Sequence, residues 1–162
     1  MQQTAELRLV NSNEDNEVRQ TSQFSTFYVS NRLYGIDVTR VQEVVRPMPM
    51  THIPLAPEYV TGLINLRGQV ATAIGLRQLF GLKDSPPDSF MNVVCKVDGA
   101  LVSLQTDEIG DVIEVSAKDF EPTPQTVHAD IRRFMSGIYK ISGALLSIVD
   151  IERVNKYLNH KT

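Results

Sequence analysis

The chain has 162 residues, a formal net charge of −3 and a single cysteine. This length is typical of one domain, and a chain of about 150 residues buries enough surface to fold without a disulfide or a structural metal. One cysteine cannot form an internal disulfide, which favours the cytoplasm as the compartment. The mild acidity argues against broad electrostatic binding of nucleic acid or anionic lipid. No apolar run approaches the roughly 20 residues of a membrane helix, and no signal peptide is expected at the N-terminus.

The first half of the chain begins with a polar stretch and continues as patterned strands. Residues 1–23 are polar and irregular, which predicts a flexible N-terminal tail. Phe24–Val29 and Leu33–Val38 are predicted to form a hairpin, because the three polar residues between them suit a turn. A third short strand is predicted at Val41–Arg46.

A second hairpin follows a proline-rich connection, since proline is expelled from central strands. Its arms are Leu63–Leu66 and Val70–Ile74, and its bend is at Gly68, because glycine accepts a positive φ without steric cost. The apolar spacing over residues 76–80 then predicts a helical turn that ends at Gly81.

The second half of the chain carries corresponding signals. The apolar run Val93–Val97 predicts a strand that contains the cysteine. Asp150 is predicted to cap a helix with apolar residues on one face, and the residues after position 158 are expected to form a short tail, 159–162. Ser116 and Asp119 have the spacing of a capping box, with Asp in place of Glu.

These corresponding signals come from an internal repeat. Residues 62–80 align without a gap on residues 137–155, and residues 29–45 align on residues 97–113. Chance similarity between two β-rich stretches is the alternative, but the two blocks occur in the same order and pair their glycines. Five short strands per unit predict a small β-barrel. The expected fold is therefore mainly β, with two five-stranded, SH3-like barrel subdomains (about 24–85 and 90–158) that share a hydrophobic core and carry short helices.

No constellation of residues suggests catalysis or metal binding. Nucleophile-elbow, Walker and dinucleotide-binding motifs are absent from the sequence. A group of three acidic residues is too small for a calcium site, because a calcium loop needs more oxygen ligands. We therefore interpret this group as a solvated turn. The remaining candidates are interpreted as surface histidines and a strand cysteine: His52, His128, His160 and Cys95. The acidic residues are Asp107, Glu108 and Asp111.

We therefore expect no enzyme, no cofactor and no metal. Two other classes remain open as alternatives. One is a small barrel that binds single-stranded nucleic acid, which the low density of basic and aromatic residues opposes. The other is an enzyme that uses Cys95 as its nucleophile, for which the sequence suggests no substrate.

The positions at which the two halves differ are candidates for function. The second hairpin reads NLRG at 65–68 in the first unit and KISG at 140–143 in the second, so Arg67 is not needed to form the turn. Glu43 has an acidic counterpart in Asp111. One interpretation of Arg67 is an exposed arginine at a hairpin tip, and the other is a pair with Glu43 beside a partner-binding groove. An exposed pair contributes only about 0.2–1 kcal/mol, so its use would be recognition.

Several runs of sequence resemble the CheW family of chemotaxis coupling proteins. They are YGIDVTRVQEVV (34–45), IPLAPEYVTGLINLRG (53–68), GLRQLFG (75–81), TDEIGDVIEV (106–115) and FMSGIYKISGALLSIVDIERV (134–154). The resemblance covers residues 24–158 and implies a non-enzymatic scaffold of two five-stranded barrels. It further implies an adaptor, monomeric when isolated, that bridges the cytoplasmic tip of chemoreceptors and the regulatory domain of the histidine kinase CheA. Such a protein is cytoplasmic, does not insert into the membrane, and is recruited through its partners to membrane-associated receptor arrays.

The resemblance also assigns binding roles to individual residues. Val41, Glu43 and Arg67 match family residues associated with receptor binding, and Gly62 matches the glycine before the NLRG hairpin. A less specific alignment adds two valines to the receptor groove and two aliphatic residues to the kinase-docking surface. These are Val93 and Val112 for the receptor and Val45 and Ile53 for the kinase.

The segment after the NLRG hairpin departs from the family pattern. The family has Pro-Val-x-Asp-Leu-Arg where this chain reads TAIGLR (72–77), so the proline and the aspartate are both missing. Gly75 stands where the family has an aspartate before the Leu-Arg of its short helix. Glycine is a tolerable N-cap, so the helix should lose only about a few tenths of a kcal/mol. The departure leaves the fold unaffected but would suit a scaffold of an accessory chemosensory pathway that does not control flagellar motility.

Overall fold

The structure is a computed structural model, and it describes residues 20–83, 87 and 89–161. The described residues form eleven strands and three short helices. The strands of the first half are β1 (Thr21–Val29), β2 (Arg32–Asp37), β3 (Val41–Val45), β4 (Val60–Leu66) and β5 (Gln69–Gly75). Those of the second half are β6 (Met91–Val97), β7 (Ala100–Thr106), β8 (Glu108–Ser116), β9 (Phe120–Glu121), β10 (Met135–Ile141) and β11 (Ala144–Val149). The helices are α1 (Leu76–Leu79), α2 (Ala129–Arg132) and α3 (Ile151–Lys161).

The strands form two sheets, which confirms the predicted mainly β fold with two barrels. One sheet has the five strands predicted, and the other has six, because the two-residue strand β9 pairs with β10. Barrel one is the sheet with the strand order β3-β6-β7-β5-β4. Barrel two is the sheet with the order β8-β1-β2-β11-β10-β9. Most neighbouring strands are antiparallel, and the end strand β3 has one face towards solvent, whereas the central strands β6 and β7 are buried on both faces over most of their length.

Each barrel takes strands from both halves of the chain. The hairpin β1–β2 lies in barrel two and its repeat counterpart β6–β7 lies in barrel one. The ranges 24–85 and 90–158 therefore describe the repeat in the sequence, whereas the sheets exchange the opening hairpins of the two halves. The sequence could not show this, because alternation identifies a strand's faces but not its partner.

The exchange follows the same register in both barrels. Val44 of β3 lies opposite Val93 of β6, and their repeat counterparts Val112 and Ser25 also lie opposite each other. The parallel pairs β5·β7 and β11·β2 likewise match through the offsets of 75 and 68 residues. The repeat is thus preserved at the level of individual strand pairs.

A single large cluster of buried side chains joins the two barrels. Its members come from strands of both sheets and from all three helices, as predicted for a shared core. Smaller clusters fill the interior of each barrel, one around Ile64 and Val94 and the other around Phe24 and Leu146. Among the fully buried members of the shared core are Phe27, Ile36, Ile74, Leu76, Phe80, Leu104, Phe134 and Val154.

The ends of the folded region differ from the predicted boundaries. Strand β1 begins at Thr21, within the range predicted as a tail, because Thr21, Ser22 and Gln23 pair with β8. The rest of the predicted flexible tail, residues 1–19, lies outside the described residues. Helix α3 continues to Lys161, through most of the predicted C-terminal tail 159–162. None of the helices in the described ranges combines the length and the apolar character needed to cross a membrane.

The predicted helix caps are partly confirmed. Asp150 Oδ1 accepts hydrogen bonds from the backbone N–H groups of Glu152 (3.0 Å) and Arg153 (3.4 Å), as expected for an N-cap. Gly75 occupies the equivalent position before α1 without a side-chain cap. Ser116 accepts a hydrogen bond from the backbone of Lys118 and begins a single 3₁₀ turn rather than an α-helix.

Candidate partner-binding site

The candidate site lies between the two end strands of barrel one. Strands β3 and β4 stand at opposite ends of the sheet order and do not pair with each other, and the outer edge of β4 pairs with Thr51. Glu43 of β3 and Arg67 of the β4–β5 turn form an ion pair that links these two ends of the sheet. The side chain of Glu43 is 22% exposed and that of Arg67 is 77% exposed. In this rim pair (Glu43 and Arg67), the partly buried carboxylate of Glu43 therefore holds the guanidinium of Arg67 in a position that solvent can reach.

The turn that carries Arg67 has a defined backbone. Arg67 has a φ of 52° and Gly68 a φ of 88°, which is the pattern of a type I′ hairpin turn. The side-chain oxygen of Asn65 accepts a hydrogen bond from the backbone N–H of Gly68 at 2.9 Å. The bend predicted at this position is confirmed.

Three of the other predicted residues support this rim from the same barrel. Val41 and Val45 lie on β3 on either side of Glu43, half-buried, and pack against the shared core and the interior of barrel one respectively. Gly62 lies on β4, where an added Cβ atom would come within 2.9 Å of the carbonyl oxygen of Thr51. A side chain at Gly62 would therefore displace the segment that pairs with β4 at Thr51.

The two residues taken from the less specific alignment have different outcomes. Val112 is 62% exposed on β8, the edge strand of barrel two. Its repeat counterpart Val44 is also exposed on the edge strand of barrel one. Val93 is fully buried in the shared core, and this burial contradicts a role in lining a surface groove. The residues on either side of Val93, which are Asn92 and Val94, are buried as well. This part of β6 therefore has no exposed face, which the sequence alignment could not show.

The residues predicted to dock the kinase lie in different environments. Ile53 lines a groove of about 500 Å³ between the 53–57 loop, β7 and the end of α3. Leu55 projects from that loop and is fully exposed. Leu55 could not be singled out from the sequence, because a single leucine between two prolines gives no periodic signal. Val45 instead turns towards the interior of barrel one.

A second charged cluster joins the two barrels. Asp107, between β7 and β8, accepts hydrogen bonds from Arg77 Nε (2.8 Å), Arg77 Nη2 (2.6 Å) and the backbone N–H of Ser30 (2.7 Å). The Arg77 and Asp107 side chains are only 15% and 16% exposed. Burial opposes ionisation of Asp107, but the hydrogen bonds from Arg77 and Ser30 and the charge of Arg77 outweigh it, so its pKa is lowered. This inter-barrel clamp (Ser30, Arg77 and Asp107) corrects the prediction of a solvated acidic turn.

The clamp has an exposed counterpart on the other side of the pseudo-symmetric molecule. Arg40, in the 3₁₀ turn between β2 and β3, pairs with Glu152 at the start of α3. Glu152 is the repeat counterpart of Arg77, and Arg40 lies one residue from the counterpart of Asp107, so the charges are reversed. The side chains of this outer pair (Arg40 and Glu152) are 40% and 47% exposed. Spacing alone could not reveal either pair, since the partners lie in different halves of the chain.

The potentially reactive groups occupy structural positions. Cys95 is buried on β6, and burial raises the pKa of its thiol to about 12, which opposes formation of the nucleophilic thiolate. The exposed imidazole of His128 accepts a hydrogen bond from the backbone of Asp130 and caps α2. Within the described ranges, no group of three or more His, Cys, Asp or Glu side chains could hold a metal ion.

Two barrels with exposed edge strands, an apolar groove and a solvent-facing ion pair define a protein-interaction module. The model of the CheW-like domain matches residues 23–157, and the chain therefore belongs to the CheW-like domain family. This confirms the resemblance found in the sequence. The family and its named relatives support a role as a chemotaxis scaffold and adaptor.

Named relatives agree with this assignment. The chain is 31% identical over 144 residues to the chemotaxis protein CheW of Helicobacter pylori, covering 88% of this chain and 86% of that protein. It is 31% identical over 129 residues to CheW of Rhizobium meliloti, covering 79% and 83%. The crystal structure of the scaffolding protein TtCheW from Thermoanaerobacter tengcongensis superposes with a TM-score of 0.72 at 30% identity, covering 79% of this chain and 88% of that one.

Proposed function

We propose that the chain couples chemoreceptors to a CheA-type histidine kinase as a non-enzymatic adaptor. One surface would bind the helical-hairpin tip of the receptor and another the regulatory domain of the kinase. The observation that carries the proposal is the rim pair, which fixes the exposed Arg67 beside the edge strand β3. The protein would be recruited through these partners to membrane-associated receptor arrays in the cytoplasm.

The geometry of the rim pair suits recognition of a polar partner. Within the described part of the chain, Arg67 contacts Glu43 through Nη2 alone, which leaves its other N–H groups for acceptors on a receptor helix. The half-buried Val41 lies two residues before Glu43 on β3, so the strand that pairs with Arg67 also offers an apolar side chain. Exposed pairs stabilise a fold by only about 0.2–1 kcal/mol, which makes Arg67 dispensable for folding.

The kinase would dock elsewhere on barrel one. The groove beside Ile53 offers aliphatic surface without a nearby ion pair of the described residues, and Val45 would support it from inside the barrel. Separate surfaces let one adaptor hold both partners at once, so its effect on the kinase is positional and no bond is made or broken. Loss of Arg67 should therefore affect receptor binding and spare kinase binding.

This separation can be tested with purified wild-type protein and Arg67→Ala. The probes are a soluble chemoreceptor tip fragment and a CheA regulatory domain, both encoded in the same genome as the chain. Arg67→Ala should weaken receptor binding by about tenfold or more, as expected for a charged interface hydrogen bond, with unchanged kinase binding and an unchanged melting temperature.

The matched control is Lys140→Ala. Lys140 stands in the equivalent hairpin of barrel two and also makes an exposed ion pair, with Glu121 at 2.9 Å. This variant should bind the receptor fragment as the wild type does. Equal receptor binding by Arg67→Ala and the wild type would overturn the proposed site, and failure of the wild type to bind either probe would overturn the proposed function.

A further inference from the structure

The second hairpin of each repeat unit, β4–β5 in barrel one and β10–β11 in barrel two, has a different type of turn. In barrel one, Arg67 and Gly68 both have positive φ values. In barrel two, the counterpart Gly143 has a φ of 74°, whereas Ser142, the counterpart of Arg67, has a negative φ. The first pattern is that of a type I′ turn and the second that of a type II turn. The flanking strands keep the same register in both hairpins, so the difference is confined to the turn.

Arg67 is an unfavourable residue for its position. A type I′ turn requires two positive φ values, and Asn-Gly or Gly-Gly supplies them at least cost. An arginine in this region suffers contacts between its Cβ atom and the backbone, which makes a non-glycine residue with positive φ uncommon. Ser30 and Asp98 also have positive φ values at the same position of the β1–β2 and β6–β7 turns, so a two-residue hairpin can adopt this conformation with other residues. A neighbouring group that holds the turn matters most for arginine, which tolerates a positive φ less well than aspartate does.

Asn65 provides such a group. Its side-chain oxygen accepts the hydrogen bond from the N–H of Gly68, directly after Arg67. The counterpart of Asn65 in barrel two is Lys140, which has no acceptor atom and instead extends its ammonium group to Glu121. The turn with the side-chain acceptor is type I′, and the turn without it is type II.

The backbone conformation at Arg67 sets the direction in which its side chain leaves the backbone. A change in the sign of φ rotates the Cα–Cβ bond of Arg67 relative to the two strands that hold it. In the observed conformation the guanidinium reaches Glu43 on β3, the other end strand of the sheet. We infer that Asn65 is a positioning residue, which holds the turn in its left-handed conformation so that Arg67 faces β3 and the receptor surface beside it. The inference rests on the proposed function for the role of Arg67, but not for its backbone conformation.

The test uses Asn65→Ala and Asn65→Asp in the full-length protein. The first removes the acceptor, and the second keeps an acceptor oxygen at the same distance from the backbone. NMR couplings of a labelled sample give the sign of φ at Arg67, a property that a merely stabilising side chain would not change. Affinity for the same chemoreceptor tip fragment gives the functional consequence.

Asn65→Ala should shift Arg67 to a negative φ and weaken receptor binding by about fivefold, the effect of one hydrogen bond. Asn65→Asp should restore both properties. The two effects should be coupled, so Asn65→Ala should cause no further loss of affinity in an Arg67→Ala background. Lys140→Ala should leave the sign of φ at Ser142 and the affinity unchanged.

The outcomes separate this inference from the proposed function. A positive φ at Arg67 in Asn65→Ala, or wild-type receptor affinity of a variant whose φ has changed, would overturn the positioning role. Unchanged receptor binding by Arg67→Ala alone would refute the proposed receptor site, while the NMR measurement would still decide whether Asn65 controls the turn.

Discussion

Barrel one and barrel two share their strand register but differ at the edges. In barrel one the turn residue Arg67 reaches the edge-strand residue Glu43. In barrel two the corresponding positions hold Ser142 and Asp111, and the exposed carboxylate of Asp111 makes no ion pair with any described residue. The repeated glycines and aliphatic residues fix the barrels, so the diverged edge positions are free to carry binding. Residues that build the fold are therefore repeated in both barrels, whereas residues that are available for binding a partner differ between them.

The contacts between the barrels show the same kind of divergence. The inter-barrel clamp is largely buried and joins three segments through three hydrogen bonds. The outer pair is exposed and joins two. Because solvent screens exposed charges, the two sides of the molecule should contribute unequally to holding the barrels together.

The largest loss of stability is expected when core residues that are equivalent in the two halves are replaced. Ile36 and Leu104 are repeat counterparts, and each is buried in the shared core at 1% exposure or less. Ile36→Ala and Leu104→Ala should each lower the free energy of unfolding by about 2–5 kcal/mol, because each leaves a cavity in a packed interior. Urea unfolding followed by far-UV circular dichroism and by tyrosine fluorescence should give one coincident transition for both variants. Two separate transitions would show that the barrels unfold independently and do not share one cooperative core.

A smaller effect is expected at the inter-barrel clamp. Asp107→Asn should lower the free energy of unfolding at pH 7 by about 2 kcal/mol, since hydrogen bonds to a charged group are lost. The folded-state pKa of Asp107 lies below its ordinary value of 3.8, so the charge contributes stability above that pH. This contribution should be lost as the pH falls from about 4 through the lowered pKa, and the difference between wild type and variant should then shrink.

Urea titrations of both proteins between pH 7 and pH 3 would measure this convergence. Glu114→Gln is a suitable control, because Glu114 is an exposed carboxylate on β8 for which no ion pair with a described residue is present. A difference between wild type and Asp107→Asn that stays constant over this range would show that the charge of Asp107 is not the stabilising feature.

The smallest effect is expected at the outer pair. Arg40→Ala should lower the free energy of unfolding by only about 0.2–1 kcal/mol at low salt, and by less at high salt, because both side chains are substantially exposed. Thermal melts at two salt concentrations would measure it, with the double variant Arg40→Ala/Glu152→Ala to isolate the pair. A loss as large as that of Asp107→Asn would contradict the proposed inequality between the two sides.

Local features of the fold could be predicted from the sequence, but pairings over long distances could not. Strand alternation, the Gly68 bend and the Asp150 cap depend on neighbouring residues, and each is present as predicted. The exchange of hairpins depends on which distant strands meet, which a period of two does not encode.

The candidate site shows the same limit. Arg67 could be proposed because its counterpart in the second repeat is Ser142, and both Arg67 and Glu43 match family motifs. The type of the NLRG turn and the burial of Val93 could not be proposed, because both depend on the three-dimensional surroundings.

The exchange of strands also determines what would happen to a broken chain. If the chain were cut between β5 and β6, each fragment would contain strands of both barrels and a complete set for neither. The two fragments could then fold only by finding each other, and their stability would depend on dilution. A continuous chain replaces that encounter with a local concentration in the millimolar range, typical of short tethers. The connection between the repeats therefore makes the folding of this protein independent of how much of it the cell contains.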